Sequence, residues 1–236
     1  MIFKSSNMAN RRNPATAVLL LAASFVVPSN VASAGEAPSS YNWSGVYVGG
    51  NVGWSGFNSE WTDVDDDWGI SPFDAGSRGF LLGGVVGYNH QLGNNLVLGI
   101  EGDLAFTSNK RSFDPTGADE VDMVNRMDMF GTVRARAGYA FDRFMPYVTG
   151  GLAVAHFKHV WTERDDVSDS WPDFGGTKAG WTLGAGVELA LSDRWTVKAE
   201  YLHADFGDVV SRNEDGYRLK VDRAVNTVRF GLNYRF

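Results

Sequence analysis

Nine charged residues in this 236-residue chain have a spacing that suits joint chemistry. Several lie two positions apart, as Glu101 and Asp103 do, and as Arg134 and Arg136 do. That spacing puts both side chains on one face of a β-strand, where acids and bases can form ion pairs or line a path for ions. The pattern predicts a charge network on one face of a sheet. Its four acids and five bases are Glu101, Asp103, Arg134, Arg136, Glu188, Lys198, Glu200, Arg229 and Arg235.

The four histidines are the other candidate ligands: His90, His156, His159 and His203. His156 and His159 are close in sequence and are candidate haem ligands, because imidazole binds haem iron and metal ions. Few ligand residues flank them, so the pattern favours histidines without a ligand, and we predict no cofactor and no metal. His203 near Asp205 is the one candidate catalytic pair, but no serine partner is identifiable. The chain has no cysteine, which excludes thiol nucleophiles, and the sequence favours a protein that is not an enzyme.

Alternating apolar and polar residues predict eight β-strands joined by three short turns and four long loops. The alternation is strictest at the C-terminal end, where Val228, Phe230, Leu232, Tyr234 and Phe236 share one face. The predicted strands cover residues 45–54, 78–90, 96–106, 127–140, 144–157, 177–191, 194–204 and 226–236. The predicted long loops cover residues 55–77, 107–126, 158–176 and 205–223.

The two faces of the predicted strands differ in a way that indicates a membrane barrel. The charged residues share a face with the glycines, and the large apolar residues occupy the other face. Bacterial barrels cross the membrane with an even number of strands of about 9–11 residues, joined by short periplasmic turns and long outer loops. We therefore predict an all-β fold, an eight-stranded antiparallel transmembrane β-barrel. A soluble lipocalin-like barrel would have the opposite sidedness, with apolar residues inside.

The interior of an eight-stranded barrel is just wide enough for side chains to fill. The nine charges therefore favour an ion-pair network that plugs the lumen, and a narrow conduction path along them is the alternative. Acids such as Asp66, Asp166 and Glu214 make the loops acidic, and divalent cations that bridge them to lipopolysaccharide phosphates are candidate partners. The leading hypothesis is a non-enzymatic protein that supports envelope integrity and presents acidic surface loops. The alternatives are a small-solute porin, a haem-binding surface protein and a lipid-acting enzyme.

Residues 1–34 have the features of a secretory signal peptide. A basic region with Lys4, Arg11 and Arg12 precedes an apolar run over residues 15–27, which is too short to span a bilayer. Ala32-Ser33-Ala34 fits the small-residue rule for cleavage.

A short periplasmic leader over residues 35–42 and a barrel domain over residues 43–236 are predicted to follow. Cleavage would leave 18 basic residues against 28 acidic ones, a formal net charge of −10, which argues against nucleic acid as a partner. We predict a location in the cell outer membrane, with both mature termini periplasmic and with membrane lipid and lipopolysaccharide as partners.

Eight motifs spread along the chain resemble one family. They lie at residues 43–51, 86–89, 99–103, 132–136, 146–151, 180–188, 195–202 and 229–236. Together they resemble the small outer-membrane β-barrel proteins of alphaproteobacteria, the Brucella and rhizobial outer-membrane immunogenic protein family. The resemblance implies an outer-membrane, eight-stranded barrel of the OmpA type, in a family with haem binders, surface antigens and envelope-stability proteins. Phe236, with Tyr234, also resembles the terminal signal that the barrel assembly machinery recognises.

Overall fold

The computed structural model describes residues 41–63, 73–74, 76–113, 121–163, 176–212 and 218–236. The predicted signal peptide and residues 35–40 of the predicted leader lie outside these ranges. In the part of the chain that the structure describes, no helix is long and apolar enough to cross a membrane. The regular structure of these ranges consists of β-strands.

Eight long strands and one short strand form an antiparallel sheet that closes on itself within the described residues. Each long strand pairs with the next, and the first pairs with the last from Tyr47 opposite Arg235 to Asp63 opposite Leu219. The predicted eight-stranded barrel is confirmed. The strands are β1 (Gly45–Asp63), β2 (Phe73–Asp74), β3 (Ser77–Gln91), β4 (Leu96–Phe113), β5 (Val121–Tyr139), β6 (Phe144–Glu163), β7 (Gly176–Ala190), β8 (Trp195–Arg212) and β9 (Arg218–Arg235); β2 pairs with β1.

Short turns gather at one end of the barrel, named here the turn end, and the opposite end is named the loop end. The turns follow β3, β5 and β7, as predicted. Asn95 and Asp142 in two of these turns have φ angles of 64° and 55°, which Asn and Asp tolerate better than most residues. In outer-membrane barrels the turn end is periplasmic.

The faces of the strands near the turn end have the predicted sidedness. Outward side chains such as Phe80, Ile100 and Leu152 are exposed, as lipid-facing residues must be. Inward residues at alternating positions, such as Glu101 and Thr149, are buried in the lumen. The two-residue period therefore separates lipid from lumen.

The long strands continue farther toward the loop end than the sequence predicts. Strand β1 runs to Asp63 and β6 to Glu163, whereas the predicted strands end at Trp54 and Phe157. The four predicted long loops are therefore wrong where they overlap strands. Residues 64–72, 114–120, 164–175 and 213–217, in the middle of those loops, lie outside the described residues.

The added strand residues, together with the adjoining loop-end residues of the predicted strands, form a part of the barrel that we name the extension; the rest is named the membrane segment. In the extension the outer face becomes polar, as at exposed Lys158. The inner face combines apolar residues such as Ala155 and Phe157 with buried polar ones such as Ser55 and Asn109. Charged outward positions made these residues resemble loops in the sequence. The observed strands of 15 to 20 residues exceed the roughly 9–11 needed to cross a bilayer. The extension comprises residues 55–63, 77–79, 107–113, 121–128, 155–163, 176–179, 203–212 and 218–226.

Candidate functional site

The inward charges of the membrane segment meet in one layer across the lumen, named here the charge layer. Its members come from β4, β5, β7, β8 and β9, and their side chains are at most 3% exposed. Four acids face four bases, so the formal charges of the layer sum to zero. Eight of the nine predicted residues lie there: Glu101, Asp103, Arg134, Arg136, Glu188, Lys198, Glu200 and Arg229.

Two arginines of the charge layer are each shared between acids. The Arg134 guanidinium lies 2.9 Å from Glu200 Oε2 and 3.1 Å from Asp103 Oδ2, and it also donates to Glu101 Oε1. Arg229 Nε lies 2.6 Å from Glu200 Oε1, and its Nη1 lies 2.8 Å from Asp103 Oδ1. Because Asp103 and Glu200 each bind both guanidinium groups, four side chains form a closed ring of charge-assisted hydrogen bonds.

The remaining bases connect the layer to its turn-end side. Lys198 Nζ lies 2.7 Å from Glu101 Oε2. Arg136 Nη2 lies 2.7 Å from Glu188 Oε2, and its Nη1 lies 3.6 Å from Glu101 Oε2. The Arg136 guanidinium also sits over the Tyr147 ring, 4.0 Å from the ring centroid. Each base therefore has an acid partner, as buried charges require.

Neutral side chains that the sequence reasoning missed complete the hydrogen bonding of the acids. The Tyr47 hydroxyl donates to Glu101 Oε2 at 2.7 Å, and the Tyr147 hydroxyl donates to Glu200 Oε2 at 3.0 Å. Thr196 donates to Glu188 at 2.6 Å. These residues occupy inward positions of the same alternating pattern, so their face was predictable. Thr132 and Asn233 also donate to acids of the layer.

The two tyrosines reach the charge layer across glycines. Tyr47 pairs with Gly87 across β1 and β3, and Tyr147 pairs with Gly186 across β6 and β7. A Cβ atom at Gly186 would lie 2.7 Å from Tyr147 Cζ, and one at Gly87 would overlap the Tyr47 ring. Glycine is therefore required at both positions so that each ring can lie over the neighbouring strand.

Arg235, the ninth predicted member, lies apart from the charge layer. Its guanidinium sits 4.3 Å from the Tyr41 ring centroid, and it donates to the backbone oxygens of Asn42 and Asp193 at the turn end. The prediction failed because the alternation of β9 continues past the end of the layer. Arg235 therefore links the predicted leader to the mouth of the barrel, since Tyr41 belongs to that leader.

An apolar cluster closes the turn end of the lumen, and we name it the turn-end cap. Trp43 is 1% exposed, and its Nε1 donates to Asp142 O at 2.9 Å. The Tyr41 ring packs edge-on against it at a centroid distance of 4.9 Å. The cap consists of Tyr41, Trp43, Val97, Ala140, Met145, Tyr147 and Ala190.

A second apolar cluster fills the lumen on the loop-end side of the charge layer, and we name it the loop-end core. The Phe157 ring lies 4.9 Å from the Phe57 ring and 5.4 Å from the Phe206 ring, centroid to centroid. The charge layer therefore lies between the turn-end cap and this core, which is accompanied by buried polar side chains such as Ser55 and Asn109. The core consists of Phe57, Met127, Phe130, Ala153, Ala155, Phe157, Leu202, Ala204, Phe206 and Val225.

The predicted histidine ligands lie on the outside of the barrel where their side chains are described. His156 Nδ1 lies 3.2 Å from Thr177 Oγ1, and His90 is exposed on β3. The side chain of His159 lies outside the described residues. Residues three positions apart on one strand lie on opposite faces. The spacing of His156 and His159 therefore does not favour binding of one haem by both histidines.

His203, the candidate for a catalytic pair with Asp205, has other neighbours. Its Nδ1 lies 2.9 Å from Asn226 Oδ1, and its ring lies 5.5 Å from the Trp181 ring. The Tyr201 hydroxyl donates to the same Asn226 oxygen at 2.7 Å. This group therefore forms a polar and aromatic cluster on the outer surface, where the membrane segment meets the extension.

Tyr234 and Phe236, the predicted assembly signal, lie on the outer surface at the turn end. The Tyr234 ring packs edge-on against Trp195 at 5.1 Å and against Phe236 at 5.2 Å. Phe236 is 75% exposed. Both rings are accessible from outside the barrel, and their recognition by assembly machinery stays a prediction.

Comparison with known proteins places the whole barrel in one family. The family model for the outer membrane protein beta-barrel domain matches residues 17–236. The 31 kDa outer-membrane immunogenic protein of Brucella melitensis is 38% identical, over 92% of this chain and 93% of its own. The 22 kDa outer membrane protein of Rhizobium leguminosarum bv. viciae is 30% identical, over 83% of this chain and 79% of its own. These matches confirm the family resemblance and the outer-membrane location.

Two solved structures have similar barrels. Ail of Yersinia pestis has 19% identity and a TM-score of 0.40, covering 82% of this chain and 99% of its own. OprG of Pseudomonas aeruginosa has 10% identity and a TM-score of 0.45, covering 83% of this chain and 98% of its own.

Proposed function

This chain belongs to the outer-membrane β-barrel protein family, and we propose that it supports envelope integrity as a non-enzymatic barrel with a closed lumen. On this proposal the barrel wall anchors the protein in the membrane, and the extension carries the acidic loops outward. Residues 1–34 direct export, and the curated relatives named as immunogenic outer-membrane proteins support a surface-exposed role.

The observation that carries the proposal is the position of a neutral charge layer between two packed layers, the turn-end cap and the loop-end core. An ion entering the lumen would have to displace partners such as Arg229 from Asp103, which are 2.8 Å apart. Separating a buried ion pair leaves an uncompensated charge and is strongly unfavourable. It would also have to pass the turn-end cap and the loop-end core, where packed aromatic and aliphatic side chains would remove its hydration. This arrangement favours a plug over a conduction path.

Packing of the lumen also supports a mechanical role. The ring formed by Arg134, Arg229, Asp103 and Glu200 joins strands β4, β5, β8 and β9 through side chains. These contacts cross the lumen and supplement the backbone hydrogen bonds between neighbouring strands. A barrel braced in this way resists deformation, which suits a protein that stabilises the membrane around it.

Planar-bilayer recording tests the closed lumen. The purified, refolded protein is added to a lipid bilayer, and we expect no stable unitary currents at moderate voltage. Addition of a known conducting porin to the same bilayer provides the control that channels are detectable. Stable unitary currents from the native protein would contradict the plug and favour the small-solute porin.

The envelope role is tested in a strain that lacks this protein. We expect faster entry of a hydrophobic fluorescent dye and greater sensitivity to detergent, both restored by a copy of the native chain. A strain whose dye entry and detergent tolerance do not change would show that the envelope does not depend on this barrel.

A further inference from the structure

Four basic side chains lie side by side on the outer face of neighbouring strands, and we name them the basic row. Lys110 of β4 pairs with Arg126 of β5, and Arg126 pairs with Lys158 of β6. Arg78 of β3 continues the row, since its neighbour Gly79 lies against Asn109. All four side chains are exposed. At about 4.8 Å per strand, the row spans roughly 14 Å of the barrel wall.

The arrangement is electrostatically unfavourable for the barrel alone. Like charges directly opposite one another on neighbouring strands destabilise a sheet. Asp128 reduces the repulsion between the charges at one end of the row, because it binds Arg126 and lies 2.9 Å from Lys158 Nζ. Arg78 and Lys110 have no ion-pair partner among the described residues. The row therefore keeps an excess of positive charge on a chain whose formal net charge is −7.

The position of the basic row points to its ligand. Arg78 lies two positions beyond Phe80, and Lys110 lies four positions beyond Phe106; these rings are 64% and 67% exposed on the lipid-facing surface. The row therefore begins where the apolar belt ends at the loop end. In an outer-membrane barrel that level meets the headgroups of the outer leaflet. Basic side chains just beyond an apolar belt place their charge among lipid headgroups and their stems against the apolar surface.

On the opposite side of the extension, the outward side chains nearest the apolar belt are mostly acidic. Asp205, Asp208 and Asp222 lie on the outer face of β8 and β9, and Glu60 is exposed on β1. Lys220 lies among them, 3.3 Å from both Asp208 and Asp222. Arg212 pairs with Arg218 farther toward the loop end of the same two strands. Next to the apolar belt, the outward charges described on β8 and β9 are therefore mostly acidic. The row is confined to β3, β4, β5 and β6.

We propose that the basic row is a binding site for the anionic groups of an outer-leaflet glycolipid headgroup. The two arginines supply planar pairs of donors for phosphate or carboxylate oxygens, and the two lysines supply point charges. Arg78 lies two positions beyond exposed Phe80, whereas Lys158 lies four positions beyond exposed Val154. The basic groups therefore lie at different distances from the apolar belt, so anionic groups at several heights of one headgroup can be bound. The inference rests on the outer-membrane location and is independent of lumen closure.

The test uses Arg78→Gln/Lys110→Gln, because neither side chain leaves an unpaired acid behind. Full-length protein in neutral detergent micelles is titrated with phosphorylated lipopolysaccharide, and native mass spectrometry counts the bound lipid. We expect the double variant to bind about ten-fold more weakly at low salt, since each cation near an anionic surface contributes several-fold. The difference should shrink as salt is raised. The matched control is Arg143→Gln/Arg194→Gln, which removes two exposed bases at the turn end and should bind as the native protein does.

Two further arms identify the ligand. A neutral glycolipid of similar chain length should bind the native protein and the double variant equally, and inorganic phosphate at millimolar concentration should not displace lipopolysaccharide. Equal lipopolysaccharide affinity in the native protein and Arg78→Gln/Lys110→Gln would overturn the proposal. So would an equal loss in the turn-end control, because binding would then follow overall charge. Displacement by inorganic phosphate would instead indicate a site for free anions and would also overturn it.

Discussion

The membrane segment and the extension are built from the same strands, yet the outer face is apolar in the first and polar in the second, and the inner charges of the first give way to an aromatic core in the second. On β8, inward Lys198 and Glu200 of the membrane segment give way to inward Ala204 and Phe206 of the extension. Near the same level the outward face changes from exposed Tyr201 to acidic Asp205. Both regions keep the two-residue period and the closed ring of strands. The difference teaches that the surroundings of the barrel, and not the strand itself, determine whether the outer face is apolar.

The two regions also keep their interiors closed by different forces. The charge layer depends on pairing, because each buried acid and base is favourable only with its partner in place. The loop-end core depends on removing apolar area from water, as in a soluble protein. A single substitution in each region should therefore cost free energy for different reasons. The following experiments separate them.

The largest effect is expected from Arg229→Met in the membrane segment. It leaves Asp103 and Glu200 each with one fewer cation, and loss of one partner of a buried pair costs about 3–5 kcal/mol. The free energy of unfolding, measured by urea titration in lipid vesicles, should fall by that amount. Arg235→Met is the control, because its guanidinium lies at the turn end and bonds backbone oxygens; we expect about 1 kcal/mol or less there. Equal losses would show that the layer does not depend on pairing.

A somewhat smaller loss is expected from Phe157→Ala in the extension. The ring is fully buried against Phe57 and Phe206, and removal of a buried Phe side chain costs about 3 kcal/mol or more. Val210→Ala on the outer face of the extension is the control; Val210 is 54% exposed, so we expect about 0.5 kcal/mol or less. The same urea titration measures both. If Phe157→Ala were as mild as its control, the loop-end core would not be a packed interior.

The smallest effect concerns an exposed ion pair of the extension. The hydrogen bond from Lys220 lowers the pKa of the Asp208 carboxyl below its ordinary value. A carboxyl whose pKa is lower in the folded state stabilises the fold above its unfolded pKa, and this contribution is lost as pH falls through the folded pKa. Between pH 6 and pH 3 the native protein should therefore lose slightly more stability than Asp208→Asn. Urea midpoints at both pH values measure this difference, and 1 M salt should abolish it; a larger loss in the variant would contradict the pairing.

The membrane segment could be predicted from the sequence because its alternation of large apolar and charged residues is typical of a membrane barrel. A strand such as β9, with Phe230 and Leu232 on one face and Arg229 on the other, fits few folds other than a membrane barrel. The extension was missed because its outer face is charged and its inner apolar residues, such as Phe57, stand among polar neighbours. The local composition of the extension is typical of loops, and its residues form strands because they pair with neighbouring strands.

The members of the charge layer could be predicted, but their partners could not. Arg134 reaches Glu200, 66 positions away, because strand register and barrel closure bring β5 opposite β8. No local pattern encodes that distance. The same limit explains Arg235, since its face on β9 was evident from the sequence but the depth of the layer was not. The Tyr147 and Gly186 pair likewise becomes visible only once β6 and β7 are aligned.

Closure of β9 against β1 has a consequence for the order of assembly. Strand β9 supplies Arg229, which lies 126 positions from Asp103 in the chain. Before β9 docks, the described members of the layer amount to four acids and three bases. Electrical neutrality is therefore reached only when the last strand closes the ring. The lumen of an open sheet would therefore carry an unpaired negative charge, and that of a closed barrel would not. Strand β9 both completes the backbone pairing with β1 and supplies the missing positive charge.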